Sequence, residues 1–288
     1  MTLFSHFKSI LAFGALILGA LCFFPGCPAS AQTFYVSCMG DNTVQKFDAT
    51  GKPLGALSNF GESTPSGLAI DKSGNLCVAL LGTNVIEKFS PTGDDLGVFS
   101  RIQLLAPTGL AFDGSGNLFV TNRFTGRIGK YSPRGAFLGM FVNGGLNTPV
   151  GIAFDGAGNL FVANWAANAI EKFSPKGEDL GVFVSNDLNW PNGIAFDPDG
   201  ALYVANEGDN AIRKYSPKGV LLNVISGKSL DEPTGIAFDE SSNLYVVNHG
   251  DNTVVKFSPK GEKLGQFITQ GLSKPTYIAI QPAAKPSH

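Results

Sequence analysis

The stretch GIAFDGAGNLFVAN, from Gly151 to Asn164, decides the fold, because close copies of it recur at a fixed distance in both directions. GLAIDKSGNLCVAL starts at Gly67, GLAFDGSGNLFVTN at Gly109, GIAFDPDGALYVAN at Gly193 and GIAFDESSNLYVVN at Gly235, each 42 residues after the last. A lysine followed by an aromatic residue keeps the same step at Lys46, Lys88, Lys130, Lys172, Lys214 and Lys256. A period of this length, with no insertion or deletion, signals a radial or solenoid array.

Each repeat holds four short apolar runs, of the kind Gly-Ile-Ala-Phe, Leu-Phe-Val-Ala, Ile-Glu-Lys-Phe and Leu-Gly-Val-Phe. None is long enough for a helix. The first pair is joined by a turn such as Asp155 to Asn159, where the Asp side chain can accept backbone N–H groups and Gly takes a positive φ. Ser174-Pro175-Lys176-Gly177 joins the third run to the fourth as a type I turn. Four antiparallel strands per 42 residues make one propeller blade, and the chain is expected to be all-β with six blades.

The ends supply the ring closure. Tyr277-Ile278-Ala279-Ile280-Gln281 matches a first strand with nothing after it, while Tyr35-Val36 matches the second strand of the same repeat. The C-terminal strand is therefore expected innermost, with Ile278 to Ile280 beside Phe34 to Val36, which removes the open edge.

Residues 1–31 read as a signal peptide: Lys8, an apolar run of fifteen residues from Ile10 to Phe24, then Ala29-Ser30-Ala31 before Gln32. The run is too short for a bilayer span, and Phe24-Pro25-Gly26 fits a lipidated Cys27 poorly. Residues 32–288 then form one propeller, expected as a secreted or periplasmic monomer with no transmembrane span. Cleavage leaves twenty basic and twenty-three acidic residues, so nothing draws the domain to nucleic acid. Cys38 and Cys77 are too few for a disulfide framework, and Cys77 stands where other repeats have Tyr or Phe.

The pattern Pro-x-Gly-Ile-Ala-Phe-Asp, Gly-Asn-Leu-Tyr-Val-Ala-Asn and Ile-x-Lys-Phe resembles the NHL repeat, and more distantly the gluconolactonase and virginiamycin lyase propellers. The resemblance implies a six-bladed ring, but such propellers include protein-binding, RNA-binding and enzymatic members. The histidines restrict the enzymatic branch: His6 precedes the mature domain and His288 ends the chain, which leaves His249. Neither the three-His zinc site of the amidating lyase nor the paired His of the virginiamycin lyase can be assembled from it.

Residues constant across repeats are explained by blade building, whereas positions that vary are free for function. The lysines are expected with their stems between sheets and their heads near Asp71, Asp113, Asp155, Asp197 and Asp239. The alanines from Ala69 to Ala279 are read as the small residues where blades crowd the axis. Asn122, Asn164, Asn206 and Asn248 end the second strand and are placed at the channel mouth, capping loops or touching a ligand. The next position is the most variable: Met39, Leu81, Arg123, Trp165, Glu207 and His249, expected as a ligand-binding ring on one face. With Cys38, Leu80, Leu104 and Leu105, Met39 and Leu81 form an apolar sector, unless the last two leucines cover it. The face suits a protein or peptide partner, with no cofactor. The alternative is a small-molecule lyase or lactonase holding a divalent cation such as calcium through Glu207, Asn164, Asn206 and Asn248.

Overall fold

Six four-stranded antiparallel sheets stand around one axis in the computed structural model, which describes residues 32–283. The expected signal segment and its cleavage site before Gln32 lie outside the described residues. The closing blade runs, from axis to rim, Pro275–Gln281, Thr33–Cys38, Thr43–Phe47 and Pro53–Asn59. The second to sixth blades follow in chain order, with innermost strands Pro65–Ile70, Pro107–Phe112, Pro149–Phe154, Pro191–Phe196 and Pro233–Phe238. Closure has the expected register: Phe34 opposes Ile280, Tyr35 opposes Ala279 and Val36 opposes Ile278.

The core is six separate apolar layers, one between each pair of neighbouring blades. Phe119 and Ile128 of the third blade pack on Ile152, Leu160, Val162 and Phe173 of the fourth. The closing blade contributes to two layers, through Phe34, Val36 and Ile278 on one side and Tyr35, Val44 and Ala279 on the other. Cys38 and Cys77 are unbridged and belong to these layers, where burial pushes each thiol up to about 12.

Glycine makes the closest approach at the axis, two residues before the alanine expected there. A Cβ on Gly67, Gly109, Gly151, Gly193 or Gly235 would lie 1.7–2.6 Å from a carbonyl oxygen of the next blade. Five of the alanines are half-buried and pack against the inter-blade layers instead, and Ala279 is buried within one.

The Asp turns form as read. Asp155 Oδ1 accepts the N–H of Ala157 and of Asn159, at 2.9 and 2.8 Å. Lysine heads reach these turns in four blades, from Lys88 to Asp71 at 2.8 Å to Lys130 to Asp113 at 3.8 Å. Lys130, Lys172, Lys214 and Lys256 also lie over an aromatic ring of the second strand, 4.9–5.0 Å from its centre. Burial alone would raise the Asp71, Asp113 and Asp239 carboxyls, but hydrogen bonds from the turn and the lysine charge outweigh it and hold all three low. Depressed carboxyls stabilise the fold above their unfolded value, about 3.9, and that contribution disappears as pH falls through the folded values. Urea unfolding is accordingly expected to show a plateau down to about pH 4 and a fall below it. The triple variant Asp71→Asn, Asp113→Asn, Asp239→Asn should start less stable and fall less steeply, and an unchanged slope would refute this role.

Candidate functional site

A repeated backbone device places the variable ring. The residue before each blade's first proline, Thr64, Ala106, Thr148, Trp190, Glu232 or Lys274, has φ between 47° and 58°. This left-handed turn points its carbonyl at the end of the second strand, where it accepts the N–H of Leu81, Arg123, Trp165, Glu207, His249 or Met39 at 3.0–3.2 Å. The bond uses only backbone atoms of the variable residue, so any side chain can be mounted there.

Two asparagine sets hold that turn in place. Asn122, Asn164, Asn206 and Asn248 are buried, and each Oδ1 accepts a loop N–H seventeen residues earlier: Leu105, Asn147, Asn189 and Asp231, at 2.6–3.3 Å. Asn84, Asn168, Asn210 and Asn252 accept the N–H of Ala106, Trp190, Glu232 and Lys274 in the following blade, at 2.6–2.8 Å. The second set was not singled out from sequence, although its own 42-residue spacing is visible there.

All six variable residues, Met39, Leu81, Arg123, Trp165, Glu207 and His249, line one axial cavity of about 210 Å³, and each is half-buried. The residues following the blade-opening prolines complete its wall, among them Asn192 and Val150. Tyr277 is the floor. It occupies the position that is glycine in five blades, and it borders both this cup and a smaller cavity of about 130 Å³ farther along the axis. Burial pushes its phenol up, with Arg123 opposing and Glu207 adding to the shift.

One wall is polar and aromatic. Glu207 Oε2 accepts Trp165 Nε1–H at 3.1 Å and Asn192 Nδ2–H at 2.9 Å, so its charge is held by two donors. The Trp165 ring stacks on Trp190 at 5.2 Å, and the Arg123 guanidinium lies 5.7 Å from its centre. His249 Nδ1 lies 3.0 Å from the Pro275 carbonyl oxygen. A carbonyl only accepts, so in the neutral ring Nδ1 carries the proton and Nε2 keeps its lone pair. Trp190, Asn192 and Tyr277 were not among the site residues read from sequence. The Tyr at a glycine position was the available signal for the last.

Across the ring, the closing and second blades present the apolar side chains of Met39 and Leu81 to the cavity, while Val150 stands beside Trp165 on the fourth blade. Leu104 packs into the layer between the second and third blades, Leu105 is exposed, and neither lines the cavity. Cys38 and Leu80 belong to the core rather than to the face. The four-residue cation set does not come together. Glu207 lines the cup, while Asn164, Asn206 and Asn248 do not, and their amide oxygens are engaged by the loop N–H groups. Among the described residues no three His, Cys, Asp or Glu side chains cluster as a metal site.

The profile of the virginiamycin B lyase family matches residues 57–285. No curated protein matches the chain. Among solved structures, a chain of the nidogen/laminin complex is 21% identical, with a TM-score of 0.79 over 88% of this chain and 100% of its own. Virginiamycin B lyase from Staphylococcus aureus, in a catalytically inactive His-to-Ala form with quinupristin, is 17% identical, with a TM-score of 0.65 over 88% of this chain and 94% of its own. A protein of unknown function from Bacteroides caccae is 15% identical, with a TM-score of 0.72 over 88% and 99%. At these identities the likeness shows the fold alone.

Proposed function

We propose that this chain, which belongs to the virginiamycin B lyase family, is an exported, monomeric binding propeller whose axial cup takes an amphipathic segment of a peptide or protein. The observation that carries this reading is the convergence of all six variable positions on one axial cup, with Met39 and Leu81 across from Trp165 and Glu207. A cup of about 210 Å³ admits one or two side chains rather than a whole folded partner. An apolar group faces Met39 and Leu81, while Trp165, Arg123 and Glu207 meet a ring, a carbonyl or a cation. Trp and Arg are the residue types that most often dominate such contacts.

A second reading rests on His249. Its Nδ1 hydrogen bond leaves Nε2 able to accept a proton, and Glu207 shares the cavity, so the cup holds one general base for a lyase reaction on a compound such as quinupristin, though not a pair of histidines.

One experiment separates them. Peptides selected on the chain from Gln32 onward are expected to bind about tenfold or more weakly to Trp165→Ala, and quinupristin is expected to survive incubation intact by chromatography. Equal binding to Trp165→Ala and to Arg123→Glu removes the cup as the site. A quinupristin product that forms with the native chain and not with His249→Ala establishes the lyase.

A further inference from the structure

Five of the six rim strands are blunted against pairing, and one is not. Gly55, Gly97, Gly139, Gly181 and Gly265 have φ between 83° and 145°, and each of their strands breaks register twice against its neighbour. The fifth blade has Asn223 at this position, without positive φ, and its rim strand Leu221–Ser226 breaks register once. Two positions at the start of the strand tell the same story. Lys52-Pro53, Asp94-Asp95, Glu178-Asp179 and Glu262-Lys263 put charge or proline there, the third blade has Ala136-Phe137, and the fifth has Val220-Leu221. Bulges, charges and prolines are the devices that keep an edge from adding a strand, and here the central bulge, the charges and the proline are absent together. Val220, Leu221, Leu222 and Val224 are 42–60% exposed.

The surroundings narrow the occupant. The strand carries no charge but is bracketed by exposed Lys218 and Lys228. In an antiparallel pair of two copies centred on Asn223, these lysines would oppose one another, whereas acidic residues flanking a partner segment would meet them. Beside the strand a cleft of about 340 Å³ runs between the fourth and fifth blades, lined by Phe183, Asp187, Tyr215, Gly219 and Leu221. The Tyr215 hydroxyl is buried there without a hydrogen-bond partner. In the third blade the equivalent Tyr131 hydroxyl donates to the Ile102 carbonyl at 2.7 Å. The Val224 N–H is met by the exposed amide of its neighbour Asn223 at 2.9 Å, a local bond that a partner carbonyl can replace.

We propose that the rim of the fifth blade is a second binding site, which adds an extended, uncharged, β-branched peptide segment with acidic flanks as a fifth strand. One side chain or carbonyl of that segment accepts the Tyr215 hydroxyl in the cleft. Main-chain pairing supplies affinity, and the apolar side chains and the cleft supply selection.

The probe is the acetylated octapeptide Glu-Thr-Val-Thr-Val-Thr-Val-Glu, N-methylated on alternate residues so that a single edge can pair, with binding followed by fluorescence anisotropy. The native chain is expected to bind it, and to bind a version with lysine at both ends at least about threefold more weakly. The variant Leu221→Asp with Asn223→Gly, which restores charge and bulge, is expected to lose about tenfold or more while its Tm is unchanged. Tyr215→Phe is expected to weaken binding without loss of fold. Undiminished binding to the double variant overturns the site. Sedimentation of the native chain as a dimer that the double variant converts to monomer overturns the occupant in favour of a second copy.

Discussion

A chain ending at Lys274 is expected to lose its cooperative thermal transition, not merely to shift it. The missing strand Pro275–Gln281 is the innermost one of the closing blade and the covalent clasp of the ring. Its removal leaves Thr33–Cys38 with an unpaired edge facing the axis, and it opens two inter-blade layers at once, because Ile278 belongs to one and Ala279 to the other. The lost terms are about four backbone hydrogen bonds at roughly 1 kcal/mol each, and burial of Ile278 and Ile280 at about 2 kcal/mol each. That sum, about 8 kcal/mol, matches the whole stability of an ordinary domain, about 5–15 kcal/mol. Circular dichroism melts of the truncated chain test this, and a synthetic peptide covering residues 275–283 is expected to restore the transition in trans. A truncated chain that melts cooperatively at the native temperature would show that the ring does not depend on its clasp.

The period of 42 made the fold legible because one physical problem is solved six times. A sheet buried on both faces needs the same apolar alternation in every blade, and five of the six also keep the same Asp-bearing and Ser-Pro-bearing turns and the same glycine at the axis. The ring of site residues was legible for the opposite reason. Arg123, Trp165 and Glu207 are held by their backbone N–H groups, so repetition in the frame exposes variation in the side chain.

What stayed hidden depends on contacts across the ring. Trp190 joins the site because the turn before Pro191 carries it onto Trp165, two loops that adjoin only once neighbouring blades are packed. Asn192 counts because Glu207 reaches it. Tyr277 floors the cup because its blade alone replaces the axial glycine, and repeat logic, which discounts exceptions in a closing strand, gives such a departure little weight. The alanine misassignment has the same root. Alanine and glycine both recur at the axis, and only the distance to the next blade's carbonyl shows which one is pressed against it.

That distance makes Gly67→Ala the most damaging single methyl expected in the molecule. The added Cβ would sit 1.7 Å from the Thr108 carbonyl oxygen and 2.9 Å from its carbonyl carbon. Those atoms belong to the innermost strand of the next blade and cannot rotate away as a side chain would. Relief requires the second and third blades to separate at the axis, which loosens the layer holding Cys77, Leu110 and Val120. Overpacking of a core typically costs about 1–3 kcal/mol, and a clash with backbone belongs at or above the top of that range. For a domain of this size about 3 kcal/mol lowers Tm by roughly 6–12 °C. Gly156→Ala is the control, since nothing lies within 4 Å of its Cβ and its φ is not positive; its Tm is expected to stay within about 2 °C or rise slightly. Equal melting temperatures for the two variants would mean that the blades can separate at the axis without cost, and the account of ring closure given by the inner glycines would be wrong.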